Sequence, residues 1–172
     1  MDIDITPVSS RTIILTLLLT IGLPVVIAVA AMMATRADGM FRWTLVVAAF
    51  AAPVAAILLW TMSRNELRIS DGQLAIKAGF YGTRLPVSDL RVDEAHTLSP
   101  RDAGEHAARW RQNGIGLPGY QAGWFKLRNG DRAFLLMTSP QGVAVPTRAG
   151  TWVVVSPARP AEFLAALADE KG

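Results

Sequence analysis

Two stretches near the front of the chain, 12–34 and 43–62, contain no Asp, Glu, Lys, Arg or His, whereas from Ser63 onward apolar and polar residues alternate. Each run is close to the ~20 residues that a helix needs to cross ~30 Å of hydrocarbon. A helix satisfies its own backbone groups, as lipid demands, and neither run has a polar face to turn to water. The pattern predicts a two-helix transmembrane hairpin: a leader over 1–11, helices over 12–34 and 43–62, and a short loop over 35–42 in which Asp38-Gly39 is the turn signal. A cleaved signal peptide would have an apolar core of ~7–15 residues behind a basic leader. Here the run is longer, and the leader sets Asp2 and Asp4 against Arg11. Pro24 and Pro53 fall near the middle of the runs and predict kinks, which spanning helices tolerate. Trp43 and Trp60 fall near the ends of the second run, where aromatic rings settle among headgroups. The alanines between them (Ala48, Ala49, Ala51, Ala52, Ala55, Ala56) would let the first run, or a second copy of the chain, approach closely.

The tail, 63–172, has a different period. Leu67 and Ile69, then Leu74 and Ile76, alternate with polar residues on either side of Asp71-Gly72, which is a strong hairpin signal. Strand-like stretches follow at 83–90, 91–98, 123–127, 132–138, 142–146 and 151–156, with Asn129-Gly130 as a further turn. Phe163, Leu164 and Leu167 then form an apolar stripe of helical period, and Pro157 or Pro160 suits the start of that helix. The tail is therefore expected to be a mainly-β small barrel or sandwich of about seven strands, capped by a C-terminal helix at about 158–170 whose Phe163 and Leu167 face inward.

Charge and composition narrow the setting. The chain is 51% hydrophobic, has no cysteine, and carries a formal charge of +3, all of the excess lying after Ser63. Disulfides and thiolate metal sites are excluded, and so weak a field does not suit nucleic acid. Arg11, Arg64, Arg68 and Lys77 lie near the membrane on the side of the termini, against Arg36 and Arg42 in the turn. The positive-inside rule places both termini and the tail in the cytoplasm, with the hairpin crossing the cell membrane.

Candidate chemistry is sparse. Gly114, Gly116 and Gly119 match G-x-G-x-x-G, but Pro118 interrupts the motif and a strand rather than a helix follows it. With Gly123 they are read as loop-forming glycines, needed for special backbone angles or close backbone approach. His96 and His106 stand ten residues apart with Asp102 and Glu105 near the second; this spacing fits no familiar metal site, so they are read as solvated surface. No G-x-S-x-G nucleophile is present. The remaining cluster is Arg109, Trp110 and Arg111 with Lys126 and Arg128 on a nearby strand, joined by Arg101 and Arg132. It could meet anionic headgroups or a partner, or pair with Asp102, Glu105 and Asp131 as an ordinary solvated face. Of Trp124 and Phe125, strand alternation sends one into the core. Tyr120, an aromatic on a glycine-rich segment, is a candidate contact whose default role is packing over the barrel end.

The segment from Arg111 to Gly130 (RQNGIGLPGYQAGWFKLRNG) and the ending from Ser156 to Leu167 (SPARPAEFLAAL) resemble the bacterial pleckstrin-homology-like membrane proteins. The resemblance covers roughly 66–168. It implies apolar helices followed by a PH-like barrel with a C-terminal helix, no enzymatic activity, and no cofactor. The expected function is non-catalytic: a membrane-anchored scaffold whose cytoplasmic PH-like domain recognises a protein or peptide. Anionic-lipid sensing by the basic–aromatic face and structural homo-oligomerisation are the alternatives.

Overall fold

A computed structural model describes residues 1–35, 40–99 and 104–171. The first apolar run forms α1 (Ser10–Leu17), a π-helical turn over Leu18–Gly22, and α2 (Leu23–Thr35). Ser9 caps the start, its hydroxyl accepting from the Thr12 amide at 3.2 Å, which satisfies one of the orphan donors of a first turn. The kink expected at Pro24 is expressed as the π turn just before it: a proline ring crowds the carbonyl four residues back, and the wider turn relieves that contact. Thr16 and Thr20 hydroxyls donate to the carbonyls of Thr12 and Thr16 at 2.8 and 2.6 Å, so these polar groups are satisfied within the helix.

The second run forms α3 (Met40–Ser63), with Pro53 in its interior. α1 and α2 pack along it. Ala55 is buried and Ala48 and Ala51 half-buried, whereas Ala49, Ala52 and Ala56 are exposed. Small side chains thus let the two runs approach each other. By length and composition, Ser10–Ala31 and Leu45–Ser63 can each cross a membrane, and only 6% and 22% of their most apolar windows are buried. A core helix of a soluble protein would be mostly covered. The Asp38-Gly39 turn and the Trp43 side chain lie outside the described residues.

Two sheets follow. The first has the order β1 (Asp2–Ile3), β2 (Asn65–Ser70), β3 (Gln73–Ala78), β4 (Tyr81–Pro86), all antiparallel. Asp71 and Gly72 both take positive φ, 52° and 67°, as the tight hairpin turn between twisted strands requires. The second contains β5 (His96–Leu98), β6 (Ala108–Leu117), β7 (Tyr120–Leu127), β8 (Arg132–Met137), β9 (Gly142–Pro146) and β10 (Thr151–Val155), in the order β5-β9-β10-β8-β7-β6. β10 runs parallel to β8; the other pairs are antiparallel. The helix α4 (Pro160–Lys171) closes the structure with Phe163 and Leu167 fully buried, the inward stripe expected of it.

Ten strands occur among the described residues, where about seven were expected. One addition is β6, whose exposed polar half hides it from periodicity. Another is β1: the leader is stitched into the domain rather than left as a tail. The Thr6 amide donates to Ser156 O at 3.0 Å, Thr138 Oγ1 donates to Thr6 O at 2.5 Å, and Arg68 and Arg159 hold Asp2 and Asp4. The strands expected over 83–90 and 91–98 are shorter, because 3-10 turns at Val87–Asp89 and Val92–Glu94 carry the chain between the two sheets.

The main core lies between the sheets and α4, built from Leu67, Ile69, Leu74, Ile76, Phe134, Leu136, Val153 and Phe163 among others. A second apolar cluster, including Phe125, Leu127, Leu135 and Val154, lies on the other face of the six-stranded sheet. β9 is consequently buried along its whole length, which accounts for its unbroken run of small and apolar residues.

Candidate functional site

β6 lies at the edge of the six-stranded sheet, paired on one side with β7 and on the other with no strand among the described residues. Its pairing runs Ala108 to Leu127, Trp110 to Lys126, Arg111 to Phe125 and Asn113 to Trp124, with irregularities between 108 and 110 and between 111 and 113. Bulges of this kind twist a strand and leave one residue of it without a ladder partner. Residues 109–113 are all exposed as a result, and Trp110 retains 72% of its surface. Among the described residues Arg109, Arg111, Lys126 and Arg128 have no ion-pair partner. Asp131 forms no ion pair among the described residues and accepts instead from Trp152 Nε1 at 3.0 Å and from Asn129 Nδ2 at 2.8 Å. Arg132 pairs in register with Lys126 across β7 and β8, and its guanidinium lies over the Trp124 ring at 4.3 Å. Arg101 and Asp102 fall outside the described residues.

Tyr120 is not part of this surface. It is fully buried at the other end of β7, and its hydroxyl donates to Asn65 Oδ1 at 3.1 Å, with Thr61 O a second acceptor at 3.4 Å. Burial pushes its pKa up to about 12. A side chain with no exposed surface cannot be a contact residue; Tyr120 instead fastens β7 to the last turn of α3 through Asn65, whose Nδ2 donates to Met62 O at 2.8 Å. Of the neighbouring pair, Phe125 is buried in the second cluster and Trp124 is half-buried against the main core, edge-on to Phe134 at 5.3 Å.

The glycines also change role. Gly114 and Gly116 lie within β6 and Gly123 within β7, and only Gly119, with φ of 79°, sits in a turn. Gly114 and Gly123 face each other across the ladder. A Cβ on Gly114 would overlap the Ala122 carbonyl oxygen, and one on Gly123 would lie 2.5 Å from that of Asn113. Close backbone approach, not loop formation, is what they provide. At Gly119 a Cβ would overlap Thr12 Oγ1, so the β6–β7 turn rests against the first turn of α1. The G-x-G-x-x-G match is a β-hairpin, and strand β7 rather than a phosphate-binding helix opens from it.

The structure brings together one pair that the spacing kept apart. His96 and His106 rings lie 4.8 Å apart, and both pack edge-on against Trp152. They are half-buried rather than solvated. Burial, and then the neighbouring His96, hold the His106 imidazole below its ordinary range, and its buried Nε2 has no hydrogen-bond partner among the described residues. No group of three or more His, Asp or Glu side chains arranged to hold a metal occurs among the described residues. Only the register of β5 on β9 and of β9 on β10 places His96 beside Trp152, and no local sequence signal reports it.

Strands β2 to β10 and nearly all of α4 fall within one segment that matches a family model, and only β1 of the two sheets lies outside it. Residues 65–170 match the model described as bacterial PH domain. The chain belongs to the bacterial PH domain family. Neither the curated proteins nor the solved structures contain a significant match. Membership supports a non-catalytic binding or scaffold role. In this PH domain one end of the β6–β7 hairpin leaves residues 109–113 of β6 exposed, while the opposite end rests against the first turn of α1.

Proposed function

We propose that the protein is a membrane-anchored binding module in which the two apolar helices span the bilayer as an antiparallel hairpin and the PH domain presents β6 to an extended segment of a protein partner on the cytoplasmic side. The observation that carries this reading is the free edge of β6 with Arg109, Trp110 and Arg111 exposed on it. An edge strand offers unpaired N–H and C=O groups to an added strand, and alternate side chains supply specificity. The unpaired cations favour an acidic segment, and Trp110 offers an apolar anchor of the type that dominates binding energy. With the domain fastened to α3 through Tyr120 and to α1 through Gly119, a captured segment would be held at a fixed place beside the bilayer.

A photo-crosslinking residue at Trp110 of the full-length protein tests this in cells. Expected is a discrete adduct with another protein that disappears in the Arg109→Glu, Arg111→Glu double variant. Adducts only with a second copy of the chain would favour a structural homo-oligomer, for which the exposed Ala49, Ala52 and Ala56 offer a close-packing face. The four unpaired cations also favour a second reading, binding of anionic lipid. On that reading the same double variant would lose salt-sensitive association with added anionic vesicles, and no protein adduct would form.

A further inference from the structure

A second surface, remote from β6, lies where the first sheet meets the end of α3. The turn joining β3 to β4 consists of Gly79 and Phe80, and Phe80 is 63% exposed, an unusual aromatic at a position where water is the normal neighbour. This turn is clamped to the helix. The Gly79 amide donates to Arg64 O at 2.8 Å, and a Cβ on Gly79, whose φ is 61°, would overlap the Thr61 side chain. The Phe80 ring consequently sits 5.1 Å from the ring of Trp60, itself 46% exposed, and the Arg64 guanidinium lies 5.4 Å above that tryptophan. Trp60 precedes the helix end at Ser63 by three residues, about 4.5 Å at the rise of an α-helix. If α3 crosses a bilayer, Trp60 is at the headgroup level, and Phe80 shares that level.

The outward face of β2–β4 continues from Phe80 as a shallow trough of about 500 Å³, floored by Ala75 and Gly82 and flanked by Arg68, Lys77 and Arg84. Arg68 is occupied by Asp2 and Glu66, whereas Lys77 and Arg84 have no ion-pair partner among the described residues. An exposed aromatic at headgroup depth beside unpaired cations matches the apolar-to-anionic gradient of a lipid surface. We infer that this sheet meets the bilayer at its Phe80 end, the strands rising away from it towards Gln73, with Phe80 inserted beside Trp60 and with Lys77 and Arg84 against the phosphates of anionic lipids. The inference rests on the membrane-hairpin part of the proposed function and is independent of what β6 binds.

The absence of native cysteine allows a direct test. The full-length protein, carrying one environment-sensitive fluorophore at Phe80→Cys, Gln73→Cys or Ile27→Cys, is reconstituted in nanodiscs of phosphatidylcholine with or without phosphatidylglycerol. Quenching by lipids with a nitroxide near the headgroup or deep in the acyl chain is then measured. Position 80 is exposed, so the label does not threaten folding; position 73 is at the far end of β3, and position 27 is exposed on α2. Expected is quenching at 80 by the shallow nitroxide severalfold above that at 73, strengthened by phosphatidylglycerol. Adding Lys77→Gln and Arg84→Gln should remove the strengthening. A label at 80 quenched no more than one at 73, while 27 is quenched by the deep nitroxide, overturns the inference and leaves the hairpin standing. Absence of quenching at 27 as well removes both. Quenching at 80 indifferent to phosphatidylglycerol overturns the roles of Lys77 and Arg84.

Discussion

Tyr120→Phe isolates the role that burial assigns to Tyr120. The substitution keeps the ring in the main core and deletes only the hydroxyl that bonds Asn65 Oδ1 at 3.1 Å and approaches Thr61 O at 3.4 Å. The longer contact is too weak to count separately, and the Asn65 side chain, being only half-buried, can take water in exchange. One net hydrogen bond is therefore lost, at about 1 kcal/mol. For a domain of this size that corresponds to a fall in Tm of about 4 °C. Tyr120→Ala would instead open a ring-sized cavity and cost about 3–5 kcal/mol. Thermal unfolding of the full-length protein in mild detergent, followed by near-UV circular dichroism, measures both. Binding at β6 should be unchanged in Tyr120→Phe. An unaltered Tm together with loss of the Trp110 adduct would refute the reasoning, since it would make Tyr120 a contact residue and not a fastening.

Gly114→Ala and Gly123→Ala each drive a Cβ into a backbone carbonyl that cannot rotate away, and should destabilise the protein by about 1–3 kcal/mol, read from the same melts. The lowered pKa of His106 means that the folded state binds its proton less readily than the unfolded chain, so stability is full above the ordinary imidazole value of 6.5 and declines as pH falls below it. His106→Gln should flatten that acid limb of a Tm-against-pH curve, and an unaltered limb would rule the residue out as its source. Tyr120 acts at the other extreme: its raised pKa makes the folded state hold the proton longer, so stability declines as pH rises from 10.0 towards about 12, and Tyr120→Phe should remove that decline. Topology is checked with single cysteines at Gly39 or at Gln112, probed in intact cells by a membrane-impermeant thiol reagent. Labelling at 39 and protection at 112 is expected, and the reverse would place the domain outside.

Where structure follows from a short stretch of chain, it was legible. Uncharged runs must become helices wherever they meet lipid, Asp71-Gly72 supports the tight turn found there, and Phe163 with Leu167 marks the buried side of α4 whatever covers it. β9 and β10 coincide nearly to the residue with the expected stretches, because β9 is buried along its whole length and β10 over Val153–Val155, where the run is unbroken valine. β6 was not, because the half of it that is exposed on a bulged edge has no inside and outside to alternate between.

The sequence by itself determined the class of the protein: two apolar helices ahead of a mainly-β domain with a terminal helix, and a family likeness that the match over 65–170 bears out. The helices and the alternating strands depend on local periodicity, which a solvent boundary imposes on any chain, and the likeness depends on the particular residues of Arg111–Gly130 and Ser156–Leu167. Tertiary structure alone decided which residues are available for function. Pairing across the sheet turned supposed loop glycines into a close contact, buried Tyr120, brought His96 to His106 and drew the leader in as a strand. It also left Arg109, Trp110 and Arg111 on a free edge and Phe80 beside Trp60. Each of these outcomes is set by register between segments distant in sequence, and register is chosen by the summed burial of both faces rather than by any one residue.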